Sequence, residues 1–305
     1  MGRLFVFRGA AEGTGGGEGR GCGTVNLKAI DIHTHIHTGD RARQKTEGIR
    51  DGAKTFGTGL MDIGLDERAA LYRDQQMMAV IFDVDYESAS GLRSSNDDVA
   101  AAVARYPDLF IGFGTVDPWK GEAAVREIRR SIGDLGLKGL KFQQITQKFD
   151  PSDRHFYPLY ETIAELGVPV IFHMGTTAIG AGSPGGRGYR LEYGRPILID
   201  GVAADFPKLT IIGAHPGWPW HDELLAVARH KGNVYIDLSG WAPKYFPPSV
   251  VQYANTLLQD KVLFGTDFPM LTPDRWLKEF EELPFKPEVR QKILLENARR
   301  LLKLG

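Results

Sequence analysis

A single-domain (β/α)8 TIM barrel is the fold class this sequence predicts, on three observations. Eight short apolar runs, rich in Val, Ile and Phe and bounded by Gly, Pro, Asp or Asn, recur along the chain as buried parallel strands do. Helical patterns alternate with them, which implies βαβ units and a parallel sheet. Histidine or aspartate stands where several runs stop, and the C-terminal strand ends of a barrel are where active sites are built.

The first run is Leu27 to His33, followed by Met78 to Val84, Phe110 to Val116, Leu137 to Phe142 and Val168 to His173. Leu209 to Ala214, Val234 to Leu238 and Val262 to Thr266 complete the set. Helical patterns cover Asp66 to Gln76, Asn96 to Arg105, Glu122 to Ile132, Tyr157 to Leu166, Pro196 to Asp205, Trp220 to His230 and Pro248 to Gln259. Asp274 to Glu282 and Glu288 to Leu304 close the chain. A doubly wound open sheet is the competing fold. It calls for a glycine fingerprint after the first strand, where His33-Thr34-His35 stands instead. Two long connections, His37 to Ile63 and Gly175 to Arg195, leave strand ends on the active-site side and are expected to serve function.

The chain has 305 residues, enough for one such barrel of about 250 residues with a large buried core. Its net charge of -1 and the lack of an extended basic stripe argue against nucleic acid as a partner. No run of about 18 apolar residues occurs, so no membrane span is expected. Cys22 is the only cysteine, which rules out an internal disulfide and fits a cytoplasmic protein. Residues 1–24 are glycine-rich and lack a core-forming pattern, so a disordered extension is expected ahead of a barrel over 25–305. The expected partner is a small-molecule substrate, and a homodimer is compatible with the sequence.

His33 and His35 stand two apart at a strand end, so both imidazoles share one face and can bind one divalent ion. His173 ends the fifth run, His215 follows the sixth, and Asp267 follows the eighth. In a barrel these positions converge on one mouth, which predicts a metal site. Lys141 lies on the fourth strand, where pairing with a neighbouring carboxylate is the plain expectation. Uncharged Gln143 and Gln144 at that strand end favour one metal over two, with Gln143 free to hydrogen-bond substrate. Arg187 and Arg190, in the glycine-rich loop after the fifth strand, are candidates for binding a carboxylate or phosphate. Trp241 is a candidate aromatic contact at the mouth. Asp31 is expected to orient the end of strand one through backbone hydrogen bonds.

Together, Asp-x-His-x-His on strand one, His on strands five and six, and Asp on strand eight resemble the amidohydrolase superfamily. Gly213-Ala214-His215-Pro216-Gly217, Phe264-Gly265-Thr266-Asp267-Phe268-Pro269 and Leu295-Glu296-Asn297-Ala298-Arg299-Arg300-Leu301 resemble the branch containing aminocarboxymuconate-semialdehyde decarboxylase. That branch also holds TIM-barrel metal hydrolases. The resemblance implies that His33, His35, His173 and Asp267 ligate the metal and that His215 is the acid/base beside it. Neutral imidazoles with one carboxylate suit Zn²⁺, with Mn²⁺ as the alternative.

The leading expectation is hydrolysis by metal-activated water, with Asp267 and His215 moving protons. The expected substrate is a small organic acid, lactone or carbonyl compound, a β-ketoacyl-CoA among them, from aromatic catabolism. The same ligand set serves non-oxidative decarboxylation, which stands as the alternative. A catalytically silent metal-binding barrel is the third reading.

Overall fold

The computed structural model of the chain describes residues 27–40, 54 and 63–304. The extension expected at residues 1–24, Cys22 and most of the connection between 37 and 63 lie outside the described residues. Eight parallel strands follow one another in chain order. They are β1 (Ala29–His35), β2 (Met77–Phe82), β3 (Phe110–Gly112), β4 (Leu140–Phe142), β5 (Val170–His173), β6 (Ile211–Ala214), β7 (Val234–Asp237) and β8 (Val262–Leu263). Ladders join β1 to β3 and β4 to β8.

Single bridges close the two gaps, Gly114 to Leu140 and Thr34 to Phe268. Backbone bonds reinforce them. Lys141 N donates to Gly114 O at 2.9 Å, Ile32 N to Phe264 O at 3.0 Å and Asp267 N to His33 O at 2.9 Å. Among the described residues the sheet therefore has no open edge, and the doubly wound alternative falls. The helices between the strands are α1 (Leu65–Asp74), α2 (Asn96–Arg105), α3 (Glu122–Gly133), α4 (Tyr157–Leu166), α5 (Leu198–Asp205), α6 (His221–His230), α7 (Pro248–Ala254) and α8 (Pro273–Glu281). Their limits follow local chemistry. In α2 the Ser95 side chain accepts from Asp98 N, and two aspartates sit in the first turn, where the helix dipole favours negative charge. Among the described residues, no helix is long and apolar enough to cross a membrane.

The two faces of each strand bury different cores. Leu140, Phe142, Val170, Phe172, Ile211 and Val234 point outward and pack with the helices. Ile30, Ile32, Val80, Ile111, Ile171, Ile212 and Leu263 fill the barrel interior. Period-two alternation then turns Lys141, His173 and Asp237 inward, on the same face as Ile171 and Ile212. In β1 the register slips between Asp31 and Thr34. This bulge lets Ile32 and the next residue, His33, both face inward, where His33 packs edge-on against Phe82.

Candidate active site

The inward polar residues meet at the C-terminal mouth of the barrel. His33 Nε2 and His35 Nε2 lie 3.3 Å apart. Asp267 Oδ1 stands 3.1 Å from the latter and 3.4 Å from the former. His33, His35 and Asp267 thus form a group whose ligand atoms all lie within 4.8 Å of one another, the arrangement a metal ion requires. Backbone conformation holds two site residues in place. Asp267 has φ 64° and His215 φ 74°, left-handed values that cost a non-glycine residue about 1–2 kcal/mol and mark positions fixed by their surroundings.

Asp237, at the end of β7, was not singled out in the sequence, although it obeys the same strand-end rule. It is fully buried, and its Oδ2 accepts from His33 Nδ1 at 2.8 Å. Its Oδ1 accepts from Ser239 N at 2.8 Å. With the proton on Nδ1, the Nε2 lone pair of His33 is turned to the ligand group. Asp31 does more than expected. It accepts from His33 N at 3.1 Å, Thr266 N at 3.0 Å, the Thr266 hydroxyl at 2.6 Å and the Tyr72 hydroxyl at 2.7 Å. It therefore ties the end of β1 to the chain after β8 and to α1.

His173 and His215 form a second pair. His215 Nε2 lies 3.1 Å from His173 Nδ1, and His173 Nε2 lies 2.9 Å from Thr176 O. His215 Nδ1 is 3.0 Å from the Ser239 hydroxyl. Gly240 follows with φ 73°, and a Cβ there would stand 2.5 Å from His215 Nδ1. Only glycine allows the ring to lie against this turn.

Burial sets the charge of the cluster. It drives the His33 and His215 imidazoles well below their ordinary range and His173 down to about 3, so all three are neutral near pH 7. It raises the Asp267 carboxyl to about 8 against the opposing pull of Lys141. It lowers Lys141 to about 8, with Asp237 and Asp267 acting the other way.

A cavity of about 580 Å³ opens above this floor. Tyr86, Trp218, Trp241, Tyr245, Ile179, Met270 and Leu271 supply much of its wall, and Gln143 lines it as expected. The Gln143 side chain is partly spent on the next turn, where Oε1 accepts from Thr146 N at 2.7 Å. Arg187 and Arg190 are not among the lining residues. The loop after β5 folds back through Ser183–Gly180 and Gly186–Ser183 bonds, and Arg190 pairs with Glu192 at 3.2 Å on an exposed surface. Among the described residues, the arginine that does line the cavity is Arg275, on α8, whose Nε bonds Glu279 at 3.1 Å. Lys141 does not make the expected carboxylate contact: its Nζ is buried and lacks a hydrogen-bond partner among the described residues.

The sequence profile of the amidohydrolase family matches residues 30–304, the whole barrel. The chain belongs to the amidohydrolase family. A curated relative of this family member is the decarboxylase orsB of Emericella nidulans, 24% identical over 88% of this chain and 91% of that protein. Another is the gamma-resorcylate decarboxylase of Polaromonas sp., 26% identical over 70% of this chain and 76% of that one.

Among solved structures, an uncharacterized TIM-barrel protein from Bordetella bronchiseptica is 29% identical, with a TM-score of 0.74 over 91% of this chain and 99% of that one. The 5-carboxyvanillate decarboxylase of Novosphingobium aromaticivorans, complexed with manganese and 4-hydroxy-3-methoxy-5-nitrobenzoic acid, is 19% identical. Its TM-score is 0.67 over 92% of this chain and 97% of that one, a likeness of fold. The chain is an enzyme of the amidohydrolase superfamily with the expected barrel. The expectation of hydrolysis is corrected, because the relatives of known activity named here are decarboxylases.

Proposed function

We propose that this protein is a metal-dependent, non-oxidative decarboxylase of small aromatic or conjugated carboxylic acids. The observation that carries the reading is the position of the cavity. An aromatic and apolar wall stands directly over the His33, His35 and Asp267 group, with room for a planar acid. Kinship with decarboxylases supports it.

His33, His35 and Asp267 would hold a divalent ion, with His173 proposed as the fourth ligand. Manganese, present in the 5-carboxyvanillate decarboxylase structure, is preferred here to the zinc expected from sequence. Such an ion supplies Lewis-acid polarisation of substrate oxygens. The chain's own residues do the remainder. Trp218 and Trp241, with ring centroids 5.7 Å apart, confine a flat ring and exclude water. The reaction breaks one C–C bond, leaves its electron pair on the ring carbon and replaces CO₂ with a proton.

Decarboxylation therefore needs an acid, whereas hydrolysis needs a base. Asp267 serves, because its Oδ1 faces the histidines and its second oxygen is left to carry the proton to the ring carbon. His215, hydrogen-bonded to His173 and Ser239, steadies the acid side of the substrate.

The test is a panel of 2-hydroxybenzoates and conjugated dicarboxylic acids, given to metal-loaded protein with CO₂ trapped. Release of CO₂ that fails in Asp267→Asn is the expected result. Turnover of esters or lactones, with no CO₂ from any acid, would refute the reading.

A further inference from the structure

Lys141 is the buried cation of the cavity wall that the metal cluster does not use. It lies on the inward side of β4 with 1% of its surface exposed. Its stem runs beside the Phe82 ring, with Nζ 5.5 Å from the centroid. Asp237 and Asp267 act on it electrostatically, but neither is paired with it. An ammonium without a partner is expensive to bury, and that cost is relieved when an anion meets its donors. Arg275, the other Lys or Arg of the wall among the described residues, is engaged by Glu279 and more than a third exposed.

We propose that Lys141 grips the carboxylate of the substrate and makes the cavity selective for a mono-anionic carboxylic acid over neutral molecules of the same shape. The inference rests on the decarboxylase reading and extends it. The carboxylate is the group that the substrate has and the decarboxylated product lacks. A cation placed on it holds the acid and releases the neutral product after CO₂ departs, so Lys141 governs affinity and product exchange.

The test measures binding, and so stands apart from turnover. The affinities of 2-hydroxybenzoate and its uncharged isostere 2-hydroxybenzamide are measured by calorimetry on metal-loaded wild type and Lys141→Met. The wild type is expected to prefer the anion by at least about 10-fold, the size of a charge-assisted hydrogen bond. Lys141→Met is expected to lose roughly 10- to 100-fold for the anion and less than about 3-fold for the amide, with metal content unchanged. Lys141→Gln, which keeps a polar group in the wall, serves where the methionine variant does not fold. Equal wild-type affinities overturn the proposal before any variant is made. So does a variant that loses metal or stability while keeping the anion preference, because Lys141 would then only balance Asp237 and Asp267. Failure to release CO₂ from any acid, with the anion preference intact, would count against the decarboxylase reading alone.

Discussion

His215 Nε2 and His173 Nδ1 stand 3.1 Å apart, a side-chain contact that links these two mouth histidines. The Thr176 carbonyl can only accept, so His173 Nε2 carries a hydrogen and its Nδ1 is an acceptor. His215 Nδ1 lies 3.0 Å from both the carbonyl and the hydroxyl of Ser239, so the turn before Gly240 orients the ring. His215→Asn breaks this chain without touching His33, His35 or Asp267. Metal content is expected to stay within error of wild type while turnover falls by about 10²-fold, the usual size for an acid/base group. Metal analysis and steady-state kinetics on one preparation check it. Loss of the ion would make His215 a ligand instead.

Asp237 works through His33 and not on the substrate. Replacing it with Asn leaves the volume but removes the charged acceptor that orients the ring. Metal affinity is expected to weaken by about 10- to 100-fold, as for other partners of ligating histidines, with excess metal restoring most of the turnover. A competition titration with a fluorescent chelator measures it, and unchanged affinity would detach Asp237 from the metal site.

Gly240 tests the close approach beside His215. A methyl group there would stand 2.5 Å from Nδ1, at a φ that penalises any side chain. Gly240→Ala is expected to displace the ring and lower turnover by at least about 10-fold, while far-ultraviolet circular dichroism stays that of a folded barrel. Wild-type turnover in this variant would mean that the position of the ring is not needed.

Acid should reveal the neutral histidines. Burial drives His173 to about 3, whereas an unfolded chain protonates its histidines near pH 6.5. The stability due to the neutral ring is thus present above about pH 6.5 and lost as pH falls towards 3. His173→Asn removes this one contribution. The stability difference between wild type and variant should shrink by about 1.4 kcal/mol per pH unit below pH 6.5. Urea unfolding of chelator-treated proteins at several pH values measures it, and a constant difference would mean that the buried ring titrates normally.

The barrel was legible because its strands are buried on both faces and so read as apolar runs ended by polar residues. Asn96–Arg105 and Tyr157–Leu166 match the helices read from periodicity residue for residue. Strand limits were less legible. Phe110–Gly112 is shorter than its run because the barrel closes there through a single bridge at Gly114. His33, His35 and Asp267 come together in the structure, and each stands at or just past the end of an apolar run of the sequence. Asp237 obeys the same rule, but it precedes Leu238, inside the run read as a strand. The open donors of Lys141 and the turning away of Arg190 towards Glu192 depend on contacts between distant segments or on loop folding, which residue spacing does not record.

The most direct measurement is decarboxylation in D₂O. Manganese-loaded protein is given the best acid of the panel, and CO₂ and the isotope pattern of the product are followed together by mass spectrometry. The account predicts one CO₂ per product molecule, with one deuterium at the carbon that lost it, and loss of both in Asp267→Asn. A product that keeps its carboxyl group, or one made by adding water across another bond, would contradict it.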